Sequence, residues 1–281
     1  MNRHYLVERM QKKDMARAIA WAAKEGWNPG RHDGPCFYQA DPHGFFVGKL
    51  AGKLIAIGSA VIYDQQFAFC GFYIVDKAYR GQGFGLELTR HRLAYIGERN
   101  AGIDGVTNML DKYARLGYKL AHNNARYRGM PYPTPAFNEN IVPIAQVNND
   151  DLARYDRRHF PAPRADFLAC WLTQAGGLSL AYIQQGTLCG YGVIRPCQQG
   201  FKIGPLFADS PDIANELFLH LTHHTQGTLV YIDIPENNAQ AKSLVNRYQL
   251  QKVFETARMY LKGEPDIELE HIYGITSFEL G

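Results

Sequence analysis

The sequence predicts an α/β (α+β) fold built twice along one chain, and three observations predict it. At 281 residues the chain is long for one small domain and comfortable for two. Over residues 67–99 a strand-like run, a glycine-rich turn and a helix-like run follow one another. The second half also repeats the first in outline. Gly186-Thr187-Leu188 followed by Gly192 echoes Gly52-Lys53-Leu54 followed by Gly58, and Thr256-Ala257-Arg258-Met259-Tyr260 echoes Asn124-Ala125-Arg126-Tyr127.

The elements follow in order. Residues 15–24, rich in alanine around Trp21, read as a helix that closes at Gly26-Trp27-Asn28-Pro29-Gly30. Residues 44–50 and 54–63 read as a hairpin around Ala51-Gly52-Lys53, and 67–75 as the third strand of a meander. Leu86, Thr89, Leu93 and Ile96 then recur at helical spacing, with Glu87, Arg90, Glu98 and Arg99 on the wet face. A strand at 102–106, a short helix at 108–116 capped by Gly117, and a strand at 118–128 complete the first unit, residues 1–129. Pro131, Pro133 and Pro135 mark a linker over 130–141. In the second unit, residues 142–281, a helix at 212–224 and a strand at 229–234 take the places of the long helix and the late strand.

Composition excludes several classes. Hydrophobic residues make up 46% and charged residues 20%, a globular balance. A net charge of +3 without a basic stripe argues against nucleic acid, while suiting an anionic small ligand. Five cysteines without a C-x-x-C pair read as reduced, mostly buried thiols. Arg3, Arg9, Lys12, Lys13 and Asp14 interrupt the N-terminal segment, which has no signal-peptide core, and no later run is long enough to span a bilayer. A cytoplasmic protein is expected. His223 and His224 are adjacent and cannot share a helix face, so no metal site is expected.

The chemistry centres on Arg80-Gly81-Gln82-Gly83-Phe84-Gly85. A strand feeding a glycine turn and then a helix aims several backbone N–H groups and the positive end of a helix dipole at one point, which suits a phosphate. The glycines fall at alternate positions after a meander, unlike the dinucleotide motif, and no Lys-Ser/Thr pair follows as a P-loop requires. The loop resembles R-x-x-G-x-G, the acyl-CoA pyrophosphate loop of the GNAT superfamily of N-acetyltransferases. Downstream, Tyr113-Ala114-Arg115-Leu116-Gly117-Tyr118 resembles the Y-x-x-x-G-[FY] signature of the same superfamily. Most of the chain resembles a tandem GNAT family, through the segments 25–30, 71–75, 102–106, 256–260 and the tail 273–281.

That resemblance implies two GNAT-like domains, each a mixed, mostly antiparallel central sheet flanked by helices, with acetyl-CoA as co-substrate and no metal. It implies that Arg80, Gly81, Gln82, Gly83, Phe84 and Gly85 hold the pyrophosphate. The backbone of Tyr73, Ile74 and Val75 would pair with the pantetheine arm where their strand splays from its neighbour. Asn108 lies near a cofactor contact or caps its helix. Tyr113 is the general acid for the departing thiolate, or a ring packing the helix end. Trp27, Asn28 and Asp33 lie where the acceptor pocket is built, with Pro29 and His32 beside them. For the base, Asp104 comes first because it interrupts an apolar strand, although a solvent-facing position explains it equally; Asp33 comes second.

The implied activity is acetyl-CoA-dependent N-acetyl transfer to a primary amine of a small molecule or peptide, by direct attack in a ternary complex. The alternative is a non-catalytic acyl-CoA-binding sensor or scaffold. In the second unit the loop position reads Ile203-Gly204-Pro205-Leu206-Phe207-Ala208-Asp209-Ser210-Pro211, without a glycine series, and Val245 stands where Tyr113 does. A degenerate copy without its own cofactor site is therefore expected, left to shape the acceptor pocket or a homodimer surface.

Overall fold

The computed structural model describes residues 4–281; the first three residues of the expected 1–129 unit lie outside it. The first half runs β1 (Tyr5–Arg9), α1 (Met15–Lys24), α2 (Asp33–Ala40), β2 (Phe45–Leu50), β3 (Lys53–Ser59), β4 (Val61–Ile62), β5 (Phe67–Phe69), β6 (Ile74–Val75), α3 (Phe84–Ile96), β7 (Asn100–Val106), α4 (Leu110–Arg115) and β8 (Lys119–Gly129). The second runs β9 (Ile141–Pro143), α5 (Asn149–His159), α6 (Ala165–Trp171), β10 (Leu178–Gln184), β11 (Thr187–Pro196), β12 (Phe201–Ala208), α7 (Pro211–His223), β13 (Val230–Pro235), α8 (Ala239–Arg247), β14 (Gln251–Tyr260) and β15 (Ile272–Gly274). The fold is mixed α/β with mostly antiparallel pairing, and the second series follows the first element by element.

Local chemistry accounts for the main boundaries. Met15, Ala18, Ile19 and Ala22 are buried at helical spacing, so α1 forms by burying one stripe. Gly97 (φ +59°) ends α3 and Gly117 (φ +96°) ends α4 in conformations that side chains disfavour. α2 has no clear mark in the sequence, because Gly34 and Pro35 read as punctuation; both sit in its first turn, where proline removes no helical hydrogen bond. No helix among the described residues is long and apolar enough to cross a membrane.

The sheets are not confined to the halves. β1, β2, β3 and β6 form one small sheet, and the larger sheet runs β4-β5-β7-β14-β8-β13-β12-β11-β10-β9, with β15 against β12. β8, the last strand of the first half, therefore pairs with β13 of the second, while β14 of the second pairs with β7 of the first. The halves exchange β8 and β14, and the two exchanged strands pair with each other, Asn124 opposite Thr256. The echoing sequence strings are these two strands.

The two faces of the shared sheet differ. Ala125, Ile203 and Ile232 join a core under α7 and α8, whereas Ile103, Ala257 and Met259 join one with Leu88 and Ile96 of α3. The alternate residues, facing the other way, make a buried polar row of Asp104, Arg258, Thr256, Asn124, Arg126 and Asp233. α1, α2, α5 and α6 cover this side in a third core shared by both halves. Cys36 of α2 and Cys170 of α6 form a disulfide across it (Cα–Cα 5.3 Å), which corrects the expectation of five reduced thiols. An odd count of cysteines and the lack of a C-x-x-C pair give no sign of the pairing, whose partners lie 134 residues apart. Alkylation of unfolded, unreduced protein is expected to label Cys70, Cys189 and Cys197 only. Intact mass checks this, and labelling of all five before reduction would contradict the bridge.

Candidate active site

The glycine loop is shaped by backbone. Gly81 (φ +77°) and Gly83 (φ +86°) both lie in the left-handed region, and Gly83 is the N-cap of α3. No side chain caps that first turn, so its N–H groups face outward at the positive end of a 13-residue helix. A Cβ at Gly85 would collide with the Tyr73 hydroxyl and lie 3.1 Å from Val75 Cγ2, so its lack of a side chain lets α3 settle directly on β6. Arg80 is half-exposed and partly engaged: Nε donates to the Val75 carbonyl (2.8 Å) and Nη2 to Glu25 (2.7 Å).

β5 and β6 are one strand bent in two. Phe69 lies opposite Gly102 of β7, and the Cys70 N–H still donates to the Gly102 carbonyl (2.8 Å). Beyond that point Ile74–Val75 pairs only with β3, which leaves the β7 side of its backbone without a strand partner. The turn between them is made by Phe72, buried, with φ +47°, a strained conformation for an aromatic residue. The expected splay is thus seated on Gly71 and Phe72.

Tyr113 lies against this opening. A Cβ at Gly105 of β7 would come within 2.6 Å of its ring, and Tyr118 meets it edge-on at 6.4 Å. Burial raises the Tyr113 phenol above its ordinary value, opposed by Arg92 and reinforced by Tyr73. It therefore holds its proton at neutral pH, as a general acid must. Asn108 is exposed in the turn ahead of α4, and Met109, not Asn108, is the N-cap residue of that helix.

The structure does not leave the two expected bases available. Asp104 accepts from Arg258 Nε (3.0 Å) and Nη2 (2.7 Å) and from Asn124 (2.7 Å), with its side chain fully buried. Asp33 accepts from the Gly30 N–H (2.8 Å) and from Arg195 Nε (2.8 Å), also fully buried. Both carboxylates are committed to buried guanidinium groups, so the structure gives each a structural ion pair where a free base was expected. Asn28 likewise ties its loop to the second half, donating to the Gln199 carbonyl (3.1 Å) and accepting from the Gln199 N–H (2.9 Å). Trp27 is half-buried, and its carbonyl accepts from Arg126. The predicted acceptor residues thus line the joint between the halves rather than an open cleft.

The second half offers no comparable cradle. Ser210 caps α7 by accepting from the Ile213 N–H (3.3 Å), Pro211 removes a donor from its first turn, and Asp212 adds negative charge. Asp209 stands just before it, held by Tyr155 (3.0 Å) and Arg158 (3.2 Å). A pyrophosphate would meet carboxylates there. Elsewhere, among the described residues, His159, Glu268 and His271 bring possible ligand atoms within 4.8 Å of one another. Arg158 donates to both Glu268 oxygens (2.9 and 2.6 Å), so a metal ion there would be held against a fixed positive charge.

A bent strand opening beside a glycine-capped helix, repeated in outline by a second half, is the architecture of a tandem acetyltransferase. The profile described as "Acetyltransferase (GNAT) family" matches residues 12–118, and that described as "Acetyltransferase (GNAT) domain" matches residues 152–274. The chain belongs to the GNAT N-acetyltransferase family, whose members use acetyl-CoA, in its tandem form. It is 29% identical over 262 residues to the holothin acyltransferase of Pseudoalteromonas sp., covering 93% of this chain and 89% of that one. Over 244 residues it is 25% identical to the uncharacterized N-acetyltransferase YitH of Bacillus subtilis, covering 85% and 86%. A solved structure from Pyrococcus horikoshii superposes with a TM-score of 0.85 at 22% identity, covering 99% and 96% of the two chains. A tandem GNAT protein from the clavulanic acid biosynthesis pathway gives 0.62 at 13% identity, covering 91% and 98%. At these identities the structural likeness speaks for the fold.

Proposed function

We propose that the first unit, residues 1–129, transfers an acetyl group from acetyl-CoA to a primary amine of a small molecule by direct attack in a ternary complex. The second unit, 142–281, works without a cofactor site of its own. The carrying observation is convergence: the N-terminus of α3, which no side chain caps, the unpaired edge of β6 and Tyr113 meet at one opening, whereas the N-terminus of α7 is blocked by its own side-chain cap and acids.

Each part has a task in the reaction. Backbone N–H groups at Gly81 to Gly85 bind the pyrophosphate, and the edge of Tyr73 to Val75 aligns the pantetheine arm and offers an N–H to the thioester oxygen as charge grows there. As the C–S bond breaks, Tyr113 gives its proton to sulfur. Tyr113→Phe is expected to lower kcat by roughly 100-fold while leaving acetyl-CoA affinity unchanged. Thiol release from acetyl-CoA, read with tyramine, putrescine, glucosamine, trialanine and holothin, measures the first quantity and calorimetry the second. Holothin enters the panel because a relative of this chain is a holothin acyltransferase. Unchanged turnover would remove Tyr113 as the acid, and acetyl-CoA binding without thiol release on every amine would favour the sensor.

A further inference from the structure

With Asp104 and Asp33 held in ion pairs, the first unit has no unpaired carboxylate among the residues expected to supply a base, yet another carboxylate-bearing residue, Glu279, has its backbone anchored at the bend beside the opening. The C-terminal tail leaves β15 and crosses from the second half to the first, the Tyr63 hydroxyl donating to the Leu280 carbonyl (2.9 Å). It closes in a turn, the Gly281 N–H donating to the Ser277 carbonyl (3.1 Å). On the way it lies directly on Gly71, where a Cβ would overlap the Glu279 carbonyl and stand 3.1 Å from Glu279 Cα. Gly71 and the strained Phe72 are the point where β5–β6 bends away from β7. Glu279 is thus anchored on the bend at which the thioester edge begins.

Its side chain is in an unusual state. Glu279 is 2% exposed, and neither carboxylate oxygen has a hydrogen-bond partner. The charged groups facing it come from four elements: Lys202 on β12, Arg126 on β8, Asp33 on α2 and Asp233 on β13. Arg126 is committed to Asp233 through two bonds (2.6 and 2.7 Å), and Lys202 Nζ stands 3.5 Å from the Trp27 carbonyl. Burial pushes the Glu279 carboxyl up, opposed by Lys202 and Arg126 and reinforced by Asp33 and Asp233. On the polar face of the exchanged strands, Asn124 Oδ1 and Thr256 Oγ1 are also buried without partners. Buried carboxylate oxygens lacking donors are costly and rare, and an N–H-bearing ligand is one partner that would meet them.

We propose that Glu279 binds the acceptor's ammonium group and removes its proton, so that the tail of the second unit supplies the base for the first. This rests on the transfer reading above and narrows it to a cationic primary amine received between the halves. The proton bookkeeping closes. One proton passes from the ammonium to Glu279, and the freed lone pair forms the C–N bond at the thioester carbon. When the C–S bond breaks, sulfur takes the Tyr113 proton, and the second proton lost by nitrogen restores the tyrosine. Glu279 then releases its proton to solvent, so ammonium and thioester give amide, thiol and one proton.

The test uses the full chain, acetyl-CoA, and whichever amine of the panel turns over fastest. Glu279→Gln is expected to bind acetyl-CoA within about twofold of wild type, to lose roughly 100-fold or more in kcat, and to lose the rise of kcat/KM with pH that deprotonation of Glu279 produces. Glu279→Asp, which keeps the charge but withdraws it, is expected to restore the rise and only part of kcat. If the glutamine variant does not fold, the aspartate variant carries the test alone: kcat equal to wild type overturns the assignment, and a lowered kcat with intact acetyl-CoA binding supports it. A folded glutamine variant within threefold of wild type, with its pH rise intact, overturns the base while leaving the transfer reading standing. Wild-type protein that binds acetyl-CoA but turns over no amine sinks both.

Discussion

Replacing Arg126 by methionine is expected to destabilise the folded protein by about 3–5 kcal/mol, the usual consequence of stranding one member of a buried ion pair. Arg126 and Asp233 are 2% and 1% exposed, joined by two bonds, and stand directly opposite each other on β8 and β13. In wild-type protein burial pushes the Asp233 carboxyl up, Arg126 and Lys202 pull it down, and the net direction is down. A depressed carboxyl contributes stability above its unfolded pKa and loses it as pH falls through the folded one. Without Arg126 burial prevails and the carboxyl rises, so protonation relieves the variant. Its deficit is expected to be smaller at about pH 4 than at about pH 7. Urea unfolding at the two pH values checks both magnitude and sign, and a deficit below about 1 kcal/mol at neutral pH would mean that Asp233 finds another partner. Arg258→Met is expected to carry a similar deficit at neutral pH, since Arg258 and Asp104 occupy the corresponding places on β14 and β7.

Gly83→Glu is expected to abolish acetyl-CoA binding, with calorimetry showing a loss of more than about 100-fold, while thermal unfolding shifts only modestly. The substitution forces a side chain into φ +86°, at a cost of about 1–2 kcal/mol, and places a carboxylate where helix N–H groups converge. Space is not the obstacle, because a Cβ at Gly83 meets nothing within 4 Å. Gly83→Ala should therefore retain part of the affinity, which separates the effect of charge from that of conformation. Retained binding in the glutamate variant would show that the loop does not hold the pyrophosphate.

What was legible in the sequence was local. α1 occupies the expected 15–24, Gly117 ends α4, and the loop at 80–85 opens α3, because apolar spacing and positive-φ glycines are written into adjacent residues. Strand exchange is a choice of partner across the whole chain, and no periodicity records it. Asp104 shows the limit: it stands out in an apolar strand, but its reason, Arg258, lies 154 residues away on a strand borrowed from the other half. A signal did exist, since Arg126 and Arg258 sit at matching places in the echoing strings and Asp104 and Asp233 in the two late strands. Duplicated opposite charges in otherwise apolar strands point to a duplicated ion pair. Glu279 carried no such mark, because only the fold brings the tail to the bend of the first sheet.

The strand exchange also governs how material enters and leaves. Two domains joined by a Pro-rich segment ordinarily part and close about it like jaws. Here β8 and β14 are woven into ladders from both halves, so parting them would break backbone hydrogen bonds along several strands at once. Any opening at the seam is therefore left to side chains and short segments, the 27–32 loop and the 275–281 tail among them, and not to rigid-body parting of the halves.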